Sequence, residues 1–506
     1  MERTDIILIH PGAVHGISPV YGELSKSLTS IEQPLWARLI AGYLIDKGWS
    51  VEIIDQEAQN MESKEIASYI KKKQPRIAAI IASGHQPSAS TQTMPQSREI
   101  ASALRQTEYS GCIVMAGGHP SALPERTLRE EPVDYVIDGE GPVTLDWMLR
   151  NGPPHDSNYM SYHCPGLWWW DTHGEIRNNP PAPLIPVEEL HGNAWHLLPP
   201  LSNYRAHAWQ CLDGSPRTPY AAIYTSLGCP YTCSFCMINV FQHTNKYRMR
   251  DPLSVVSEIC RLYEQGVRTF KIIDELFILN RKHYTSICSD LTDYGLGKEI
   301  NIWCYARTDT ITRDDLPLLR KAGIKWLALG IESGNEEVRN KANRRLKPTT
   351  NISQDWDIYD IIKDIRKADI NVIGNYIFGL PGDTKKTMQE TLDTAIWHNT
   401  EFANFYVNMP YPGSKQYDEI AKKRPQDLPE TWSAYSQYSR DCKPLRNENL
   451  TAAEILGFRD HAFDTYYRGK QYRDMIEKRF GQHGISFINQ MLSYKLPRDL
   501  LNEKQP

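Results

Sequence analysis

At 506 residues, with 41% hydrophobic and 23% charged side chains, the chain is long enough for two or three cores and has the make-up of a folded, soluble protein. A net charge of -4 offers no general attraction to nucleic acid or anionic lipid, and no apolar run approaches the length that spans a bilayer. The start, Met1-Glu2-Arg3-Thr4-Asp5, lacks the basic and apolar regions of a secretory signal, so the cytoplasm is the expected compartment and the ten cysteines are expected to stay reduced.

Residues 4 to 150 alternate short apolar runs with amphipathic stretches, the pattern of a doubly wound parallel sheet with helices on both faces. Five strands are expected, at 5–10, 50–55, 76–83, 112–117 and 134–138, with helices near 35–47, 63–72, 92–105, 123–130 and 143–150. In such sheets ligands sit outside the carboxyl ends of the strands. Those ends read His10-Pro11-Gly12, Ser83-Gly84-His85, Gly117-Gly118-His119-Pro120 and Gly139-Glu140-Gly141. Glycine there allows close approach to a large ligand, although each turn alone is equally a simple chain reversal. No GxGxxG opens the first helix, which argues against a dinucleotide.

Residues 151 to 216 read as a linker, broken by Pro153-Pro154, Pro180-Pro181, Pro183, Pro186 and Pro199-Pro200. Within it, 166–177 reads as a small hairpin turning at Asp171 to Gly174. Trp168 to Trp170 are expected to pack on a neighbouring core, with a stacking platform as the alternative.

An apolar run from Ala221 to Leu227 then reads as a buried strand that breaks at Gly228 and Pro230 into a loop with Cys229, Cys233 and Cys236 spaced CxxxCxxC. Three thiolates on one loop with no evident fourth suggest an iron–sulfur cubane with one iron open to a non-protein ligand. A zinc site with His243 as a distant fourth ligand, or three unrelated buried cysteines, are the alternatives. Beyond the loop βα alternation resumes, and the strand ends carry Asp274-Glu275, Arg307, Ile331-Glu332-Ser333-Gly334 and Gly379-Leu380-Pro381-Gly382. Past Ser414 the chain turns helical, with helices expected at 452–468, 471–480 and 485–494.

The cysteine spacing, with Phe235 before the last cysteine, closely resembles the radical S-adenosylmethionine (radical SAM) enzymes. Preceded by a domain with a Gly117-Gly118-His119 turn and a Val136 to Gly141 run, it resembles the cobalamin-dependent members of that family over residues 1 to 415. The resemblance implies a cobalamin-binding domain at 1–150 and a partial (β/α)6 barrel at 217–415; beyond it the helical spacing gives a helical C-terminal domain at 416–506. It implies a four-iron four-sulfur cluster on Cys229, Cys233 and Cys236, together with S-adenosylmethionine and cobalamin as cofactors. Cobalamin contacts are expected at Ser83, Gly117, Gly118, His119, Gly139, Glu140 and Gly141; because no DxHxxG motif occurs, the cobalt is expected to carry no imidazole from below. For S-adenosylmethionine the expected contacts are Phe235, Glu275 at the amino group and Arg307 at the carboxylate. Glu332 and Ser333 are expected at ribose or methionine, and Gly379 and Leu380 at adenine. The implied activity is methyl transfer to an unactivated carbon of a small molecule through a 5′-deoxyadenosyl radical, with flavodoxin or ferredoxin as electron donor. A ring-forming or oxidative rearrangement, as in the anaerobic magnesium-protoporphyrin ester cyclase, is the first alternative. An RNA methylthiotransferase or methylase is the second, for which the acidic chain lacks a basic RNA-binding extension.

Overall fold

The computed structural model describes residues 4–15, 23–84, 89–152, 163–190, 194–342 and 358–502. The first five strands are β1 Ile6–His10, β2 Val51–Asp55, β3 Ile77–Ala82, β4 Cys112–Gly117 and β5 Tyr135–Ile137. They pair in parallel in the order β2-β1-β3-β4-β5. β1, β3 and β4 are buried along their whole length, as their unbroken apolar runs require of a sheet covered on both faces. Helices Leu35–Asp46, Ser63–Lys73, Met94–Arg105, Pro124–Glu130 and Pro142–Asn151 cover it.

The hairpin in the linker is β6 Leu167–Trp170 and β7 Ile176–Asn178. It does more than connect, because β6 pairs antiparallel with β5 and makes the first sheet seven-stranded. Trp169 is buried and Trp168 half-buried against the core, while Trp170 at the edge is 40% exposed under the Arg129 guanidinium.

The second sheet holds β8 Tyr220–Ile223, β11 Thr269–Ile272, β12 Asn301–Arg307, β13 Ile324–Glu332, β14 Asn371–Phe378 and β15 Phe402–Val407. All six run parallel, in the order β8-β11-β12-β13-β14-β15. The single strand expected over 221–227 is split. Its second half is β9 Ser226–Leu227, which leaves the sheet to pair with β10 Arg248–Met249. The cause is Asp274, fully buried, whose carboxylate accepts the Thr225 N–H at 2.6 Å, the Thr225 hydroxyl at 2.5 Å and the Ser226 hydroxyl at 2.6 Å. These bonds replace the ladder bonds of β8 and turn the chain toward the cysteine loop.

The two sheets are locked together. Among the described residues no strand lies beside the outer edge of β8, and Gln33 stands in for one by donating to the Tyr220 carbonyl at 2.6 Å and accepting the Ala222 N–H at 2.8 Å. Arg38, fully buried on the first helix, donates to the Ala222 carbonyl at 3.0 Å and lies 3.8 Å from Glu258. Burial pushes its guanidinium down to about 10 against the pull of Glu258. Helix Ala452–Arg468 and the long segment Lys470–Ser493, broken at Gly481 where φ is +64°, pack over β14 and β15.

Candidate active site

A cavity of about 790 Å³ lies where the carboxyl ends of the two sheets face each other. The first sheet contributes His10, Ser83 and Gly84. The loop contributes all three cysteines with Phe235, and the barrel contributes Glu275, Arg307 and Glu332.

The cysteine loop is held from behind. The Gly228 N–H donates to Glu275 at 3.1 Å and, with the Gln242 amide turned to satisfy its neighbours, to Gln242 at 3.2 Å. Gly228 has φ +87° and a Cβ there would meet the Lys246 carbonyl at 2.2 Å, so only glycine fits. Glu275 is pushed up to about 7, chiefly by burial and also by neighbouring Asp274. Cys229 is buried and its thiol is pushed up to about 11. Cys236 is open to the cavity yet surrounded by protein, and its thiol is pushed up to about 12. Among the described residues no three His, Cys, Asp or Glu side chains converge on one point where a single ion would sit. The donor set nonetheless fits a cubane, in which each thiolate binds a different iron. His243, the candidate fourth zinc ligand, bonds instead to Asp138 at 2.7 Å.

Glu332 reaches the cavity by an irregularity. The β13–β14 register shifts between Gly330 and Glu332, and Glu332 takes φ +65°. A bulge of this kind re-aims a side chain, and a non-glycine residue in the left-handed region costs free energy that the surrounding ladder must sustain. Arg307, also on the wall, forks onto Asp309 through Nε and Nη2, both at 2.7 Å, and lies 3.8 Å from the centre of the Tyr231 ring. The edge expected to grip a ligand carboxylate is thus taken by a neighbour.

Several expected contacts do not line the cavity. Gly117 has φ +136° and the Ala82 carbonyl leaves no room for a Cβ, and Gly118 packs on Met237 and Ser90. His119 is buried, bonds Thr91 at 3.2 Å and stands edge-on to Trp432, and burial pushes its imidazole down to about 3. Gly139 exchanges hydrogen bonds with Ser121, Gly141 packs on Ile40, and Glu140 pairs with Arg248. Ser333 is fully buried and bonds Thr391 at 3.1 Å. The Gly379 and Leu380 N–H groups donate to Asp383, Gly379 touches Ile455, and Leu380 sits in a small cluster with Val338 and Ala342. His85 lies outside the described residues.

Sequence reasoning missed the cavity floor. His207 and Trp209, from the linker, stack at 5.4 Å; Trp209 meets Trp303 edge-on at 5.3 Å and stacks on Phe402 at 5.6 Å. Missed too was the amide pair Asn375 and Asn404, although the period-two phase of β14 and β15 already placed both on the face of Ile373 and Phe402.

The cavity opens between the two sheets, and the family comparisons give the class of protein that carries it. Residues 24–147 match the B12 binding domain, and residues 223–395 match the radical SAM superfamily. The chain therefore carries a B12 binding domain followed by a radical SAM domain, the order of the cobalamin-dependent radical SAM enzymes, and the cofactors of those two domains are cobalamin, a four-iron four-sulfur cluster and S-adenosylmethionine. It is 26% identical to an uncharacterized methyltransferase of Pyrococcus horikoshii over 96% of both chains. It is also 26% identical to the anaerobic magnesium-protoporphyrin IX monomethyl ester cyclase of Cereibacter sphaeroides, over 92% of this chain and 70% of that one. In fold it is similar to the radical S-adenosylmethionine methyltransferase TsrM of Kitasatospora setae, solved with cobalamin and a [4Fe-4S] cluster, at 20% identity (TM-score 0.62; 84% of this chain, 75% of that one). A second fold match is the cobalamin-dependent radical enzyme OxsB, at 14% identity (TM-score 0.65; 97% and 71%).

Proposed function

We propose that the protein transfers a methyl group to an unactivated carbon of a small molecule, with Cys229, Cys233 and Cys236 as the cluster ligands. The observation that carries this reading is the shared cavity: cysteine loop, first-sheet strand ends and aromatic floor all open into one volume. When bound, the cluster and S-adenosylmethionine supply radical chemistry and cobalamin carries the methyl group. The residues bind, orient and exclude water. Asp274 and Glu275 fix the cysteine loop, and Glu275 and Glu332 present carboxylates at the wall where the amino group and ribose of S-adenosylmethionine would lie. The aromatic floor keeps the reacting end dry, so that a reactive species meets substrate before solvent. Flavodoxin or ferredoxin in the cytoplasm would reduce the cluster; no described helix is long and apolar enough to cross a membrane.

The test is incubation of anaerobically reconstituted protein with cell extract and S-adenosylmethionine labelled in its methyl carbon. Label in a new carbon–carbon bond is the expected result. A rearranged or ring-closed product without label would favour the cyclase reading instead.

A further inference from the structure

Register across the barrel wall arranges the inward side chains in layers. Tyr305, Ala328, Ile373 and Phe402 are partners across β12 to β15, and Arg307, Gly330, Asn375 and Asn404 form the next layer toward the cavity mouth. The deeper layer is apolar apart from the tyrosine hydroxyl. The upper one holds a guanidinium already forked onto Asp309, a bare glycine and two neutral amides.

The orientation of those amides follows from their partners. Asn375 Nδ2 donates to the Leu329 carbonyl at 3.1 Å, and Asn404 Nδ2 donates to Asn375 Oδ1 at 2.9 Å. A backbone carbonyl only accepts, so Asn375 must turn its nitrogen to Leu329 and its oxygen to Asn404. Asn404 must then spend an N–H on that oxygen, which leaves its own Oδ1 as an acceptor on the cavity wall. Asn375 is 9% exposed, so the relay is anchored in the core, and Phe463, Phe487 and Met491 from the helical region line the same chamber.

We propose that this chamber takes a neutral substrate, apolar over most of its surface, that donates one hydroxyl or N–H to Asn404 Oδ1. Asn375 acts as a positioning residue that holds the acceptor in place. A charged group at this depth would meet only charges already paired, because of the cations that line the chamber Arg307 is held by Asp309, Arg459 by Asp460 and Arg468 by Asp464, while Lys495 is exposed to solvent; a donor instead meets an acceptor already oriented for it. The inference rests on the small-molecule reading above. A ribose hydroxyl of S-adenosylmethionine is the other source of the same donor chemistry, and one arm of the test separates the two.

Equilibrium dialysis of the reconstituted full-length protein, with S-adenosylmethionine present, would compare 2-naphthol with 2-methylnaphthalene, which differ in the donor but little in size. The wild type is expected to bind 2-naphthol about tenfold more tightly, the effect of one net hydrogen bond. Asn404→Leu is expected to erase that preference while keeping wild-type iron content and S-adenosylmethionine affinity; Asn404→Ala repeats the test without added bulk. Equal binding of the two probes by wild type, or a preference that survives in both variants, would overturn the proposal. So would a matching loss of S-adenosylmethionine affinity, which would give the amide pair to the ribose. A product without labelled methyl, by contrast, would sink methyl transfer and leave these binding ratios intact.

Discussion

Asp274 carries the geometry of the cysteine loop without lining the cavity, since three donors just upstream of the loop converge on its buried carboxylate. Asp274→Asn keeps the size but points N–H groups at at least one of those donors. Losing a buried hydrogen bond to a charged group costs about 1.5 to 3 kcal/mol, so the loop should slacken and iron and sulfide per chain should fall after reconstitution. Full cluster loading in this variant would show that the loop holds its shape alone. His119 gives the opposite expectation. Packed against Thr91 and Trp432, it is out of reach of any ligand in the cavity. Electron paramagnetic resonance of bound cob(II)alamin should therefore show no nitrogen splitting that disappears in His119→Ala; a triplet lost in the variant would place this imidazole on cobalt.

At the scale of elements, the β13 bulge trades stability for position. Glu332→Gly should relieve the positive φ, leaving the denaturant midpoint unchanged or raised, while S-adenosylmethionine affinity falls. A lowered midpoint would mean that the Glu332 side chain holds the fold as well as the ligand. Helix Ala452–Arg468 begins with a reciprocal box between Thr451 and Glu454. The bond from Lys385, then those from Thr451, hold the Glu454 carboxyl down to about 2. Its folded value lies below its unfolded one, so this stabilisation is present above about pH 4.3 and is lost as pH falls toward about 2. Thr451→Ala should cost about 1 kcal/mol at neutral pH, and Glu454→Gln should flatten the acid limb of a midpoint-against-pH curve; an unchanged limb would remove the cap from the account. The parallel strands and the helix at 452–468 were legible in the chain, because period-two and period-3.6 patterning is written residue by residue. The glycine turns were not. A glycine that admits a ligand and one that admits the Ala82 carbonyl or Ile455 look alike in sequence, and only the packed neighbour distinguishes Gly117 and Gly379 from a cofactor cradle. Trp209 was hidden for a related reason: it packs against Trp303, Trp326 and Phe402, residues too distant in the chain for local patterning to connect with it.

Across the whole molecule, the placement of the two sheets is set by buried polar contacts of the segment just before and within the first helix. Gln33 and Arg38 both bond β8, and Lys271 pairs with Glu32 at 2.8 Å with both side chains almost fully buried. Breaking one partner of such a pair leaves an uncompensated buried charge, at a cost of about 3 to 5 kcal/mol. The Gln33 clasp has a further consequence for anyone wishing to study the barrel alone. A fragment beginning at residue 217 would keep the cysteine loop and all six strands but would present β8 to solvent as a bare template, with the Tyr220 carbonyl and both polar groups of Ala222 unclaimed. Such a fragment should pair edge to edge and sediment as soluble oligomers or precipitate, even when its cluster is assembled. Charged substitutions on the exposed flank of β8 should restore a monomer where added cobalamin does not. A monodisperse, monomeric fragment would show that the barrel seals its own border.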